Sequence, residues 1–262
     1  MFFVTATIFA YGQTGSGKTY TMFGEMSDSQ VSEFSGLTPR ITNSLFSIVQ
    51  RKRNEYNAKI EDPESGTSSD ASSDIPVEYS IKCSCLEIYN ESVQDLLTMS
   101  RNQVKIRENN RKGVVVEGLT RKPVNSAAEV LGLLQTGFQR RRTVATDMNE
   151  RSSRSHAVFM LTLSQVFQDG SSTTATLNLV DLAGSERVHR SNVTGSSLKE
   201  ARAINQSLSA LGNCIYALSD SQRSHIPYRD SKLTHLLKES LGGNTKTTLL
   251  INVSPSQVRL KS

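Results

Sequence analysis

The 262-residue chain has no tryptophan, only three cysteines and six prolines, and no apolar run long enough to cross a bilayer. Cys83, Cys85 and Cys214 cannot build a disulfide framework, which suits a reducing, intracellular compartment. The low proline count, beside 16 glycines without a three-residue period, excludes a collagen-like chain. The apolar opening, Phe2 to Ala10, is too short for a membrane span and lacks the basic lead-in of a secretory signal. What is present is 36% hydrophobic and 21% charged residue, a composition that can bury a core. Neither an internal repeat nor a domain boundary is visible, so residues 1–262 read as one domain. The net charge of +5 is unevenly spread: Arg101 to Arg142 holds ten Lys/Arg against three acids. Such a stretch suits either a polyanionic partner or an unpartnered solvated face, and composition leaves both open.

Phe3 to Ala10, rich in β-branched and aromatic residues, reads as a buried strand. Thr38-Pro39 opens a helix with proline at its first position and Ile41, Leu45, Ile48 and Val49 as its apolar stripe. A Ser/Asp/Gly-rich stretch at about 61–76 buries too little to repay its ordering and reads as a mobile surface loop within the domain. Alternation at Val77, Tyr79, Ile81, Cys83 and Cys85 puts both strand cysteines on the buried face, as core thiols rather than a metal site. Val114–Leu119 is a further strand. Ser126 and Glu129 have capping-box spacing before the apolar positions Val130, Leu131, Leu134 and Phe138. Strands at His156–Phe167 and Thr173–Leu182 flank Asp169-Gly170 as a hairpin. Leu198 to Leu218 keeps helical spacing through Ile215, a second helix spans about Asp230 to Leu241, and Thr247–Ser254 closes the chain as a strand. Strands interleaved with helices predict an α/β layered domain.

Gly12-Gln13-Thr14-Gly15-Ser16-Gly17-Lys18-Thr19 matches G-x-x-x-x-G-K-[ST] between a predicted strand and a helix. Glycines let successive backbone N–H groups face one anion, and a helix start adds its dipole. Lys18 can reach phosphate oxygens as a point charge, and the Thr19 hydroxyl suits Mg²⁺. Hydrolysis needs more: a group that senses the terminal phosphate and one that positions water. Asp181-Leu182-Ala183-Gly184 ends a predicted strand, so Asp181 can reach the Mg²⁺ shell and Gly184 can offer its N–H. Asn149 to His156 supplies hydroxyls and the cation Arg154. Alone, each of these two segments reads as an ordinary polar turn or loop.

Taken together, Gly12–Thr19 with Tyr20-Thr21-Met22, Asn149–His156 (NERSSRSH) and Asp181–Glu186 (DLAGSE) resemble the P-loop, switch I and switch II of the kinesin motor domain. Leu86–Glu91, Ile204–Leu211 and Ile226–Thr234 extend the resemblance from about Thr7 to Pro255. It implies a P-loop NTPase three-layer sandwich, a mostly parallel or mixed sheet flanked by helices. It also implies a microtubule-stimulated ATPase using ATP/ADP and Mg²⁺, located on the cytoskeleton of the cytoplasm. By resemblance Gly12, Gln13, Thr14, Gly15, Ser16, Gly17, Lys18 and Thr19 hold the phosphates, with Tyr20 beside the adenine. Thr19 and Ser153 ligate the metal, and Asp181 reaches it through water. Ser152 and Asn149 lie near the attacking water. Arg154 and Glu186 form a closing salt bridge, Glu186 also relaying the proton. Tubulin contacts fall on Arg111, Lys112, Arg121, Lys122, Lys199, Tyr228, Arg229, Lys232 and His235. For Arg140-Arg141-Arg142 a structural role at a helix C-terminus is favoured.

Some family features are missing. No Arg-x-Arg-Pro segment precedes the phosphate loop, and the family's last helix and neck linker do not follow Pro255. The expectation is therefore a motor domain truncated at both ends, with oligomerisation left to stalk regions absent from this sequence. Neither a nucleic-acid platform nor a membrane contact is expected. An alternative is a nucleotide- and microtubule-binding module that has lost efficient hydrolysis through that truncation.

Overall fold

The computed structural model describes residues 5–25, 31–61, 76–99, 104–109, 113–143, 153–186 and 196–255. A seven-stranded mixed sheet forms the centre, in the order β3-β2-β7-β8-β1-β9, with β6 also paired to β2. These strands are β1 (Thr5–Tyr11), β2 (Glu78–Tyr89), β3 (Ser92–Asp95), β6 (Lys122–Val124), β7 (His156–Val166), β8 (Ser172–Asp181) and β9 (Thr245–Ile251). Only β1 with β8 and β1 with β9 pair in parallel; β2 with β3, β6 and β7, and β7 with β8, are antiparallel. A separate hairpin joins β4 (Lys105–Asn109) to β5 (Gly113–Glu117).

The alternation in β2 explains the layers. Tyr79, Ile81, Cys83 and Cys85 enter one core, while Leu86 and Ile88 enter another. Both faces of the strand are buried from Cys83 to Ile88, because helices cover the sheet on both sides. The first core is covered by α1 (Lys18–Phe23), α2 (Leu37–Glu61) and α3 (Ala127–Thr143). Phe23 of α1 and Phe138 of α3 meet edge to face, with ring centroids 4.4 Å apart. The second core is covered by α4 (Ser196–Ser219), α5 (Lys232–Leu236) and α6 (Lys238–Gly242). Burial raises the Cys83 thiol pKa and pushes that of Cys85 up to about 12, as core thiols require.

Some boundaries differ from the sequence expectation. Helix α2 begins at Leu37, placing Pro39 inside the first turn, where a missing N–H costs no helical bond. The helix expected from Asp230 to Leu241 is divided: a 3₁₀ turn (Tyr228–Asp230), then α5 and α6 on either side of Leu237. The step keeps Leu233 and Leu237 buried and turns Ser240 toward Thr7, their hydroxyls 2.7 Å apart. Helix α4 buries Ser207, Ala210, Leu211, Cys214 and Ala217, whereas Ile215 and Leu218, expected on its apolar stripe, are exposed. The Ser126 hydroxyl accepts from Glu129 N at 3.2 Å, and Glu129 returns to Asn125 N at 3.0 Å, one residue outside the expected box. The acid-rich stretch beyond Glu61 lies outside the described residues.

Candidate functional site

Three chain segments meet at the carboxyl ends of β1 and β8. The first is the loop between β1 and α1. Gly15 and Gly17 take φ of 76° and 91°, a conformation that side chains resist and that turns successive N–H groups toward one side. Lys18 is buried, its ammonium donating to the carbonyls of Gly12 (2.9 Å) and Gln13 (2.8 Å). Burial lowers its pKa, while the nearby carboxylates of Asp181 and Glu186 act to raise it. Tyr20, the expected neighbour of an adenine, stands 53% exposed on α1.

The second and third segments are joined through the backbone. Gly184 N donates to Ser153 O at 2.9 Å, and Ser185 N donates to Gly12 O at 3.1 Å. These bonds bring the segments bearing Lys18, Ser153 and Gly184 side by side. A Cβ at Gly184 would press on the Thr14 hydroxyl and on both Glu186 carboxylate oxygens, so a side chain there would displace the Thr14–Glu186 contact. Its N–H, expected free for a phosphate, is given to Ser153.

Glu186 reaches back to the first segment. One carboxylate oxygen accepts from Thr14 N at 2.8 Å and the other from the Thr14 hydroxyl. Thr14 thus holds the carboxylate, with the charge of Lys18 nearby. Burial pushes the Glu186 pKa up, but the Thr14 bonds and the Lys18 charge bring the net value below the ordinary carboxylate range.

Thr19 Oγ1 donates to Asp181 Oδ2 at 2.8 Å, and Asp181 Oδ1 is buried with no hydrogen-bond partner among the described residues. Hard oxygens from two segments, one of them orphaned, fit a magnesium ion. Behind them lies an ionic triad that sequence reasoning missed. Arg141 (3% exposed) reaches Asp181 Oδ2 at 3.1 Å and Glu87 Oε1 at 3.5 Å, and those acids are 0% and 1% exposed. The same guanidinium donates to Ser155 O at 2.9 Å and Ser155 Oγ at 3.2 Å. The helix-dipole role expected for Arg141 is thus replaced by a buried tie between α3, β2 and the end of β8. Arg140 instead donates to Leu96 O at 2.9 Å.

His156 was passed over as well. Buried at the start of β7, its Nδ1 lies 3.0 Å from Ala183 N and its Nε2 2.8 Å from Ser207 Oγ.

On the second face, Tyr228, Arg229, Lys232 and His235 cluster along the 3₁₀ turn and α5. Glu108 of β4 bonds both Arg229 and Lys238, and Glu91 caps Lys232 N at 2.7 Å. Arg121 lines a neighbouring hollow of about 440 Å³ with Leu236 and Glu239. Lys122 is exposed on β6, and Lys199 lies in the first turns of α4. Asn149, Ser152, Arg111 and Lys112 lie outside the described residues.

A family model described as the kinesin motor domain matches residues 4–262. The chain belongs to the kinesin motor-domain family. It is 48% identical to Kinesin-related protein 5 of Dictyostelium discoideum and 44% identical to a kinesin heavy chain of Gibberella moniliformis, each match covering 95% of this chain. The chain spans only 23% and 24% of those kinesins. The structure of a fast kinesin, discussed for its ATPase mechanism and interactions with microtubules, superimposes with a TM-score of 0.78 at 42% identity. That match covers 97% of this chain and 65% of the fast kinesin. Mutant structures that reveal a signalling pathway for activation of the kinesin motor ATPase give 0.74 at 35%, covering 98% and 68%. The layered sheet with its helices is the kinesin form of the P-loop NTPase fold.

Proposed function

We propose that this chain is a microtubule-stimulated ATPase, converting ATP and water to ADP and phosphate and coupling that cycle to grip on a microtubule. The observation that carries the reading is the meeting of three segments: Gly12 O accepts from both Lys18 Nζ and Ser185 N, and Gly184 N reaches Ser153 O. Loops so joined respond together to whatever binds the glycine-rich turn.

In this reading the N–H groups of Gln13 to Thr19 receive the phosphates, and Lys18 leaves its loop carbonyls to neutralise charge on the terminal one. Thr19, Ser153 and Asp181 would hold Mg²⁺, which supplies charge neutralisation between the phosphates. Asn149 and Ser152 orient the water. Glu186, ionised because its pKa lies low, accepts the proton of that water through a relay once it leaves Thr14 and turns toward Arg154. The group that holds it here therefore acts as its resting catch. Arg229, Lys232 and Arg121, with Arg111, Lys112, Lys122 and Lys199, present positive charge to acidic tubulin, a grip that salt weakens, and Tyr228 and His235 add uncharged contacts. Work on the cytoskeleton of the cytoplasm follows from that partner.

Phosphate release with and without microtubules tests the proposal. Wild type should accelerate on microtubules, and Glu186→Ala should bind ATP yet turn over at least about tenfold more slowly, the scale of lost proton transfer. Binding of nucleotide and microtubules with no release from wild type would favour a non-hydrolysing module.

A further inference from the structure

We propose that His156 is a positioning residue: a single imidazole that ties the loop bearing Gly184 and Glu186 to helix α4, so that movement of the loop is delivered to the basic surface around Arg229. The inference rests on the functional reading above and names a residue through which that site acts.

The chemistry of the ring makes the tie directional. A backbone N–H can only donate, so the Nδ1 that faces Ala183 N at 3.0 Å must carry a lone pair. The proton of the neutral ring then sits on Nε2, which donates to Ser207 Oγ at 2.8 Å. Both ends are used, and both lie in the interior, with His156 2% and Ser207 2% exposed. Neither can be exchanged for water without cost. The neutral form is the stable one: burial, helped by the cations of Arg141 and Lys18, lowers the ring pKa to about 3.

Position gives the tie its reach. Ala183 and Gly184 are successive amides, the first bonded to the His156 ring and the second to Ser153 O. A shift of Gly184 must drag or break the ring contact next to it. On the far side, Ser207 is followed through its neighbour Gln206, whose amide donates to Asp230 O at 3.3 Å, in the 3₁₀ turn that carries Arg229. An uninterrupted series of bonds therefore runs from the loop, through one ring, to α4 and the basic surface. A histidine that only filled space would need neither a fixed tautomer nor hydrogen-bond partners on two different elements.

The test compares Ser207→Ala, Ser207→Thr and His156→Asn in the full 262-residue chain. Ser207→Thr keeps the hydroxyl acceptor. His156→Asn keeps an acceptor near the Nδ1 position but cannot reach α4. The tie predicts that Ser207→Ala lowers microtubule-stimulated kcat by about three- to tenfold, the span of one net hydrogen bond. Basal turnover and the microtubule concentration for half-stimulation should hold, and Ser207→Thr should restore the rate. His156→Asn combined with Ser207→Ala should lose no more stimulation than the worse single variant. Unchanged stimulation in Ser207→Ala, or additive losses, overturns the proposal. Amide exchange at Ala183, measured without nucleotide or microtubules, judges the tie even if wild type shows no stimulation. Exchange about threefold or more faster in Ser207→Ala supports it, and unchanged exchange overturns it.

Discussion

Arg141 shows how much one side chain can hold. Two carboxylates and a serine converge on its guanidinium in a region closed to water, so removing it leaves two buried charges facing one another. Arg141→Met should lower stability by about 3–5 kcal/mol, read from urea unfolding at pH 7. Arg141→Lys should recover only part, since one ammonium cannot span Ser155, Asp181 and Glu87 together. His156 makes a second prediction at this scale. Its folded pKa of about 3 lies below the ordinary 6.5, so on acidification the unfolded chain binds a proton that the folded chain refuses. Its contribution is whole above pH 6.5 and is lost as pH falls toward 3. Over that window the slope of stability should be shallower in His156→Asn by about 1.4 kcal/mol per pH unit.

At the scale of elements, the β4–β5 hairpin is held to the α5 region by acid. Glu108, its pKa drawn down to about 2 by hydrogen bonds from Lys238 and Arg229, occupies Arg229 of the surface proposed to meet tubulin and Lys238 beside it. Glu108→Gln should free both and tighten microtubule co-sedimentation, most at low salt, where exposed charges are least screened. The elements themselves were largely legible beforehand. The hairpin turn at Asp169-Gly170 and the Ser126 cap rest on local chemistry that the sequence displays, whereas the α4 stripe was legible only in part, since Ile215 and Leu218 face outward. The break at Leu237 was not legible, because it depends on where Ser240 and Thr7 meet across the fold. The triad left a trace that pairwise reading passes over. Arg141 continues the buried helical spacing of Val130 and Leu134, and Glu87 continues the inward register of Cys83 and Cys85. Two opposite charges on facing apolar stripes are a pair in waiting. Spacing singled out Gly12 to Thr19 and Asp181 as candidates, while the bond of Glu186 to Thr14 joins residues 172 positions apart and no local pattern announces it.

At the scale of the described molecule, a central sheet is clad on two sides, and the thiols report on that cladding. Cys83, Cys85 and Cys214 are buried, and burial raises all three pKa values. The native chain at pH 8 should therefore be silent to a colorimetric disulfide reagent and release three equivalents on denaturation; prompt native reaction would mean that one face stands open. The same cladding constrains how the molecule works. Strands β7 and β8 pair without interruption from Ala157↔Asp181 to Val166↔Ser172, and the segments bearing Ser153 and Gly184 both sprout from the end away from the turn. Sliding one strand past its neighbour by a single residue would turn every inward side chain outward. The ribbon is thus a fixed rail, and any opening of the proposed nucleotide site is expected from rotation beyond residues 157 and 181 rather than from shear between these strands.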